Sequence, residues 1–127
     1  MNVYYNSKKL RLLAQTTQIN TECEICNGLI CPGWESLPVT LNPHLLELIG
    51  TLKGDEPEPT WNEYHPNGTD IWSRDAPIAV KHYPYNRCDI YQCQKCTRVY
   101  LQYTEYGGYY VDKRIRALNL DLITDDD

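Results

Sequence analysis

Cysteine is the residue of this sequence whose type and spacing could do chemistry. Six cysteines stand at positions 23, 26, 31, 88, 93 and 96, in two clusters. The first reads C-x2-C-x4-C from Cys23 through Cys26 to Cys31. The second reads C-x4-C-x2-C from Cys88 through Cys93 to Cys96, the same spacing reversed. Two cysteines separated by two residues fit on one tight turn that aims both sulfurs at one point. Two such pairs supply the four soft ligands that Zn²⁺ takes tetrahedrally, with Zn–S near ~2.3 Å. The cation keeps the thiolates ionised, and neighbouring backbone N–H groups can bond to them. Asn27-Gly28, directly after Cys26, tolerate the positive φ that such a turn needs. Thr97-Arg98 follow Cys96 without a glycine, so the second turn departs from that pattern.

Three chemistries compete for these residues. One structural zinc could be held by Cys23, Cys26, Cys93 and Cys96. The cysteines could instead form disulfides, or stay reduced and unligated. The first nine residues lack the apolar stretch of a secretory leader, so a cytoplasmic setting is expected, which disfavours disulfides. Sixty-six residues lie between Cys26 and Cys93, far more than in compact C-x2-C-x15–20-C-x2-C modules, so the fold must close a long gap. Cys31 and Cys88 read as buried core thiols, and their mirrored spacing suggests that they lie near one another across a strand pair.

Other chemistries find little to work with. His44, His65 and His82 stand in no metal-hydrolase motif. Cys23-Glu24 and Cys93-Gln94 do not supply the order of a zinc deaminase. No phosphate-cradling glycine loop or nucleophile elbow is present, so no enzymatic activity is expected. Lys113, Arg114 and Arg116 form a short basic cluster, and Tyr100, Tyr103 and Tyr106 could stack bases. Strand alternation splits that cluster between two faces. The chain carries 12 cations and 17 Asp plus Glu, for a net charge of −5, which opposes a general phosphate-binding role.

The elements that must position these residues form an α+β pattern: a small antiparallel β-sheet with a C-terminal hairpin and one short helix, with the cysteine turns brought together by the fold. The 127 residues suit a single domain, 1–127. Apolar runs are only a few residues long, so no membrane-spanning helix is expected. The helix signal starts at Asn42 as N-cap, with Pro43 at the first position and Leu41 and Leu46 as a staple. Leu45, Leu48, Ile49 and Leu52 continue an apolar stripe to a stop at Gly54, with Gly50 as an internal blemish. Lys8–Ala14 reads equally as helix or strand. Pro66-Asn67-Gly68 reads as a turn around which Trp61, Tyr64 and Trp72 could pack. Residues 78–92 look extended, with Pro84 marking a strand end. Residues 98–106 alternate in strand fashion, turn at Gly107-Gly108, and return over 109–116.

The cysteine pairs and the hairpin after the second pair resemble the zinc ribbons, in which two turns at the ends of β-hairpins clamp one zinc. That resemblance implies a scaffold with one structural Zn²⁺ per chain. It does not imply a single function, because ribbons serve many roles.

Charge supplies the functional hint. Residues 1–31 carry three cations and two anions, residues 32–80 two and eight, and residues 81–127 seven of each. The acidic excess therefore sits in the insert between the cysteine clusters, residues 32–87, and is either a solubilising surface or a face that steers a basic protein partner. Its candidate contact residues are Asp55, Glu56, Glu58, Trp61, Glu63, Tyr64, Asp70, Trp72 and Asp75. With 11 Tyr, 3 Trp and no Phe, the aromatic content suits half-wet surfaces. In size, acidity, tyrosine content and lack of a catalytic constellation, the chain resembles bacterial immunity proteins that neutralise toxin domains. The expected role is a zinc-binding protein-interaction module of that kind, with a nucleic-acid-associated ribbon as the alternative.

Overall fold

The computed structural model describes residues 3–16, 23, 24, 26, 29, 31–38, 43–54, 57–106 and 111–124. The turn at Gly107-Gly108 and residues Asp55 and Glu56 lie outside the described residues. The chain runs α1 (Ser7–Ala14), β1 (Glu35–Ser36), β2 (Leu46–Thr51), β3 (Asp89–Cys93), β4 (Val99–Tyr106) and β5 (Val111–Ala117). Among the described residues these strands make one five-stranded sheet in the order β1-β5-β4-β3-β2, with every pairing antiparallel. The expected α+β class, C-terminal hairpin and gathered cysteines are all present.

The one α-helix among the described residues is not where the strongest helix signal lies. The chain from Pro43 makes a single 3-10 turn, Pro43–Leu45, and then enters β2. Two tertiary contacts override the local pattern. Leu46 to Thr51 pair with Cys93 to Asp89, with a register shift between Leu48 and Gly50. On the outer side of β2, Thr51 exchanges backbone bonds with the first described segment, Tyr5 N–H to Thr51 O and Thr51 N–H to Val3 O, each 2.9 Å. Gly50 permits that approach, because a Cβ there would stand 2.7 Å from the Val3 carbonyl and collide with the Tyr5 ring. The glycine that weakens a helix is thus required by a strand edge. Helix α1 forms instead at the undecided segment. Asn6 accepts from Lys9 N–H at 2.8 Å as N-cap, and Ser7, Leu10 and Ala14 make its buried stripe.

The sheet separates two apolar clusters. Ile90, Val99, Leu101 and Tyr103 face one side, where Leu10, Trp34, Leu52, Ile78, Tyr85, Cys88 and Ile123 cover them. Tyr100, Ile115, Ala117 and Cys93 face the other side, under Cys23, Cys26, Leu29 and Cys31. Cys31 and Cys88 therefore lie in different clusters on opposite faces of the sheet, which corrects the expectation that they are neighbours. Residues 78–84 contribute a single bridge, Ile78 with Ile123, and the Tyr83-Pro84 peptide is cis. A 3-10 turn, Tyr85–Arg87, then leads into β3. The turn at 65–68 forms as expected, with Gly68 at φ 81.

Of the basic cluster of β5, Arg114 and Arg116 are inside the protein, whereas Lys113 is exposed. Arg116 has 0% exposure and lies on the Leu101 side of the sheet. Its guanidinium donates to Pro32 O at 3.1 Å, Arg74 O at 3.1 Å, Ala76 O at 2.9 Å and the Tyr85 hydroxyl. Two chain segments without regular structure, at Pro32 and at Arg74–Ala76, and the 3-10 turn at Tyr85 are thus tied to one side chain. Arg114 donates to Asp112 at 3.1 Å and to the Tyr103 hydroxyl at 2.8 Å, with the Trp72 ring over it at 4.3 Å. Replacing Arg116 by Met removes the donors and leaves three carbonyls and a phenol without partners. The expected loss is about 3–5 kcal/mol of unfolding free energy, read from urea denaturation, with Arg116→Lys recovering only part because it lacks the planar fork.

Candidate metal centre

Each pair of cysteines is delivered by a different part of the fold. β3 ends at Cys93, and the turn Cys93-Gln94-Lys95-Cys96 leads toward β4. Backbone bonds from Thr97 N–H to Cys93 O at 3.0 Å and from Cys93 N–H to Arg98 O at 2.8 Å close this turn. The 3-10 turn before β2 braces it, since Gln94 donates to Leu45 O at 3.3 Å through its backbone and to His44 O at 3.2 Å through its side chain. The other pair arrives on a segment laid along β5. Ala117 N–H bonds to Cys31 O at 3.0 Å, Glu35 and Ser36 pair with Ile115 and Arg114, and Leu37 N–H bonds to Lys113 O at 2.7 Å.

The sulfurs of Cys23, Cys26, Cys93 and Cys96 all lie within 4.8 Å of one another. Cys23 and Cys93 are 3.9 Å apart, Cys26 and Cys96 3.3 Å. A tetrahedron with Zn–S bonds of ~2.3 Å has edges of about 3.8 Å, so the spacing fits a single ion. It is far too long for an S–S bond of about 2.0 Å. All six cysteines are free thiols. Cys23, Cys26 and Cys93 are buried and Cys96 is half-buried.

The surroundings fit a charged tetrathiolate better than four neutral thiols. Lys95 N–H donates to Cys93 Sγ at 3.4 Å, and Arg98 N–H bonds to the Cys96 sulfur. Thr97 makes the second bond possible by taking φ 68, the conformation a glycine would ordinarily supply at this turn. The Tyr100 hydroxyl, on a fully buried side chain, lies beside the Cys26 thiol and favours its ionisation. Arg98, also buried, donates to Leu29 O at 3.0 Å and lies 5.2 Å from the Tyr100 ring centroid. Its cation is suitably placed to offset the net negative charge that four thiolates leave on a dication. Without a cation, burial pushes both the Cys26 and Cys96 thiols up, so they stay protonated. Burial also pushes Cys31 up to about 12 and Cys88 well above its ordinary range, which makes both poor nucleophiles.

The residues expected to meet a partner are placed as follows. Glu58, Trp61, Glu63, Tyr64, Asp70, Trp72 and Asp75 are all exposed, on the irregular chain between 57 and 77. Trp61 is 70% and Trp72 51% exposed. The aromatics do not gather around the 65–68 turn. Trp61 lies against Tyr83 at 5.1 Å and Arg87 at 4.0 Å, Tyr64 against His82 at 5.1 Å, and Trp72 over Arg114. Two of the carboxylates have local tasks: Glu63 pairs with His65 at 2.7 Å, and Asp70 accepts from Trp72 N–H at 2.9 Å.

No protein-family model matches this chain, and no curated protein or solved structure matches it. The functional reading therefore rests on the site.

Sequence reading found the four cysteines but missed Thr97, Arg98 and Tyr100. The signal for Thr97 was the missing glycine after Cys96. Because a β-branched residue is strained at positive φ, Thr97→Gly should raise stability by about 1 kcal/mol without changing metal stoichiometry, as read by denaturation of the metal-loaded protein. Under native conditions Cys31 and Cys88 should resist alkylation, and mass spectrometry should find them unmodified until denaturant is added.

Proposed function

We propose that this chain is a zinc-stapled protein-interaction module. The observation that carries the reading is the convergence of four cysteine sulfurs, from turns sixty-six residues apart, within 4.8 Å. Four soft thiolates in tetrahedral array suit Zn²⁺, one per chain. Cys23, Cys26, Cys93 and Cys96 would fill all four positions, leaving none for water or substrate, so the metal's role is structural and the chain is read as a non-enzyme. The ion would bind two segments to the sheet and supply folding energy there.

The task of the stapled scaffold is read from its surface. Exposed Trp61, Tyr64 and Trp72 stand among Glu58, Glu63, Asp70 and Asp75. Tryptophan and tyrosine are favoured anchors, and carboxylates around them steer a cationic protein. A toxin-neutralising immunity protein that blocks a basic toxin domain is the specific form of this reading. The nucleic-acid alternative is disfavoured because Arg114 and Arg116 are buried, as are Tyr100 and Tyr103. Lys113 and Tyr106 alone of those six residues remain at the surface.

Elemental analysis should find about one zinc per chain. Cys93→Ser should lower metal content and stability together, and a fully stable, metal-free variant would refute the staple. Loading must release thiol protons, so apparent zinc affinity should rise with pH and fall as the thiols re-protonate. Reversing the sign of Glu58, Glu63 and Asp75 together should slow association with a cationic partner and flatten its salt dependence, while zinc content stays unchanged.

A further inference from the structure

The hairpin of β4 and β5 is longer than the strand beside it. Pairing of β3 with β4 ends at Asp89 with Gln102, whereas β4 with β5 continues to Tyr106 with Val111. Bonding directions in β4 follow from its ends. Arg98 O accepts from Cys93 of β3, and Val99 O accepts from Leu118, on the β5 side. Backbone groups alternate along a strand, so the N–H and C=O of Thr104 and Tyr106 point away from β5. Among the described residues, no backbone bond joins them to another segment.

A groove of about 410 Å³ runs along this free edge. Five consecutive residues, Gln102 to Tyr106, line it. Consecutive strand residues face opposite sides, so the groove follows the edge of β4 rather than either face. Its two walls differ. Trp61, Tyr83 and Arg87 form one, where the Trp61 and Tyr83 rings are 5.1 Å apart. Lys53, Asp89 and Lys113 stand at the other. Lys53 pairs with Asp89 at 3.5 Å, and Lys113 makes no ion pair among the described residues. The second wall therefore carries a net positive charge within an acidic chain.

We propose that this groove binds an extended peptide segment of a partner protein by strand addition. The open N–H and C=O groups of Thr104 and Tyr106 require a ligand with a donor and an acceptor at strand spacing, which is what an extended backbone presents. Alternate side chains of the segment then point to opposite walls. An apolar side chain faces Trp61 and Tyr83, and a carboxylate faces Lys113. The inference deepens the protein-binding reading, but it uses neither the metal nor the carboxylates of the acidic insert.

The test titrates the metal-loaded full chain with three blocked heptapeptides: alternating Leu and Glu, the same with Lys for Glu, and the first N-methylated at alternate residues. Backbone amide shifts at Thr104 and Tyr106 are the readout. The Leu/Glu peptide should saturate, with the Lys and N-methyl versions weaker by about tenfold or more. Thr104→Pro removes one open N–H and should abolish binding, while Thr104→Val keeps it. Lys113→Glu should reverse the preference to the Lys peptide, which keeps the test decisive if the proline variant unfolds. Absence of saturable shifts, or equal binding of the N-methyl peptide, overturns the proposal. So does a sedimentation result in which a second copy covers the edge and the peptide cannot displace it. Unchanged association kinetics in the sign-reversed variant, with peptide binding intact, would count against the acidic face alone.

Discussion

Burying four sulfurs at one point is the constraint on which the arrangement depends. Without a cation, burial keeps the Cys26 and Cys96 thiols protonated, and they gain little from their proximity. With one, each becomes a strong ligand. Bringing Cys26 to Cys93 closes a loop of more than sixty residues, an entropic cost of about 4 kcal/mol. Structural zinc sites contribute on the order of 10–16 kcal/mol, so one ion can offset that closure and still order the segment carrying Cys23 and Cys26. That segment covers one face of the sheet, where Leu29, Tyr100, Ile115 and Ala117 pack.

The opposite face is organised by a different device. Arg116 supplies a planar array of donors, and three carbonyls from two irregular segments, together with a tyrosine hydroxyl, accept from it. A guanidinium suits this role because it stays charged and its donors diverge in fixed directions. Arg98 acts similarly beside the cysteines, linking the second turn to the segment after the first. Arginines that look like a nucleic-acid patch in the sequence are therefore internal braces. Segments too poor in regular structure to bond among themselves are satisfied by side chains from the sheet.

Much of this was legible where a residue's chemistry depends on few neighbours. Cysteine spacing picked out the four residues whose sulfurs come together, and the alternation of residues 98–106 identified the long strand. Failures came where distant contacts decided. The pattern from Asn42 to Gly54 meets local criteria for a helix, yet pairing with β3 and the approach of Val3 and Tyr5 to Gly50 make it a strand. The Asn6 cap was present in the sequence but went unused. Burial of Arg114 and Arg116 could not be read from alternation, because both faces of the sheet are covered along this part of β5.

The cysteine cluster lies at one end of the sheet, and the features proposed for recognition lie away from it. The cysteine turns join the end of β3 to the start of β4. The free edge and its groove lie at the other end of β4, beyond Gln102. Rings and guanidinium groups connect Trp61 to Trp72 through Tyr83, Tyr103 and Arg114, with successive separations of 5.1, 6.0, 5.8 and 4.3 Å. The exposed tryptophans are thus held against buried or half-buried residues, Trp72 against Arg114 of β5 and Trp61 against Tyr83 and Arg87 ahead of β3, although the chain that carries them has no regular structure. An anchor already immobilised in this way loses less conformational entropy on binding than one on an untethered loop. The sheet supplies that preorganisation, and a metal held by the four cysteines would support the sheet by closing its far end.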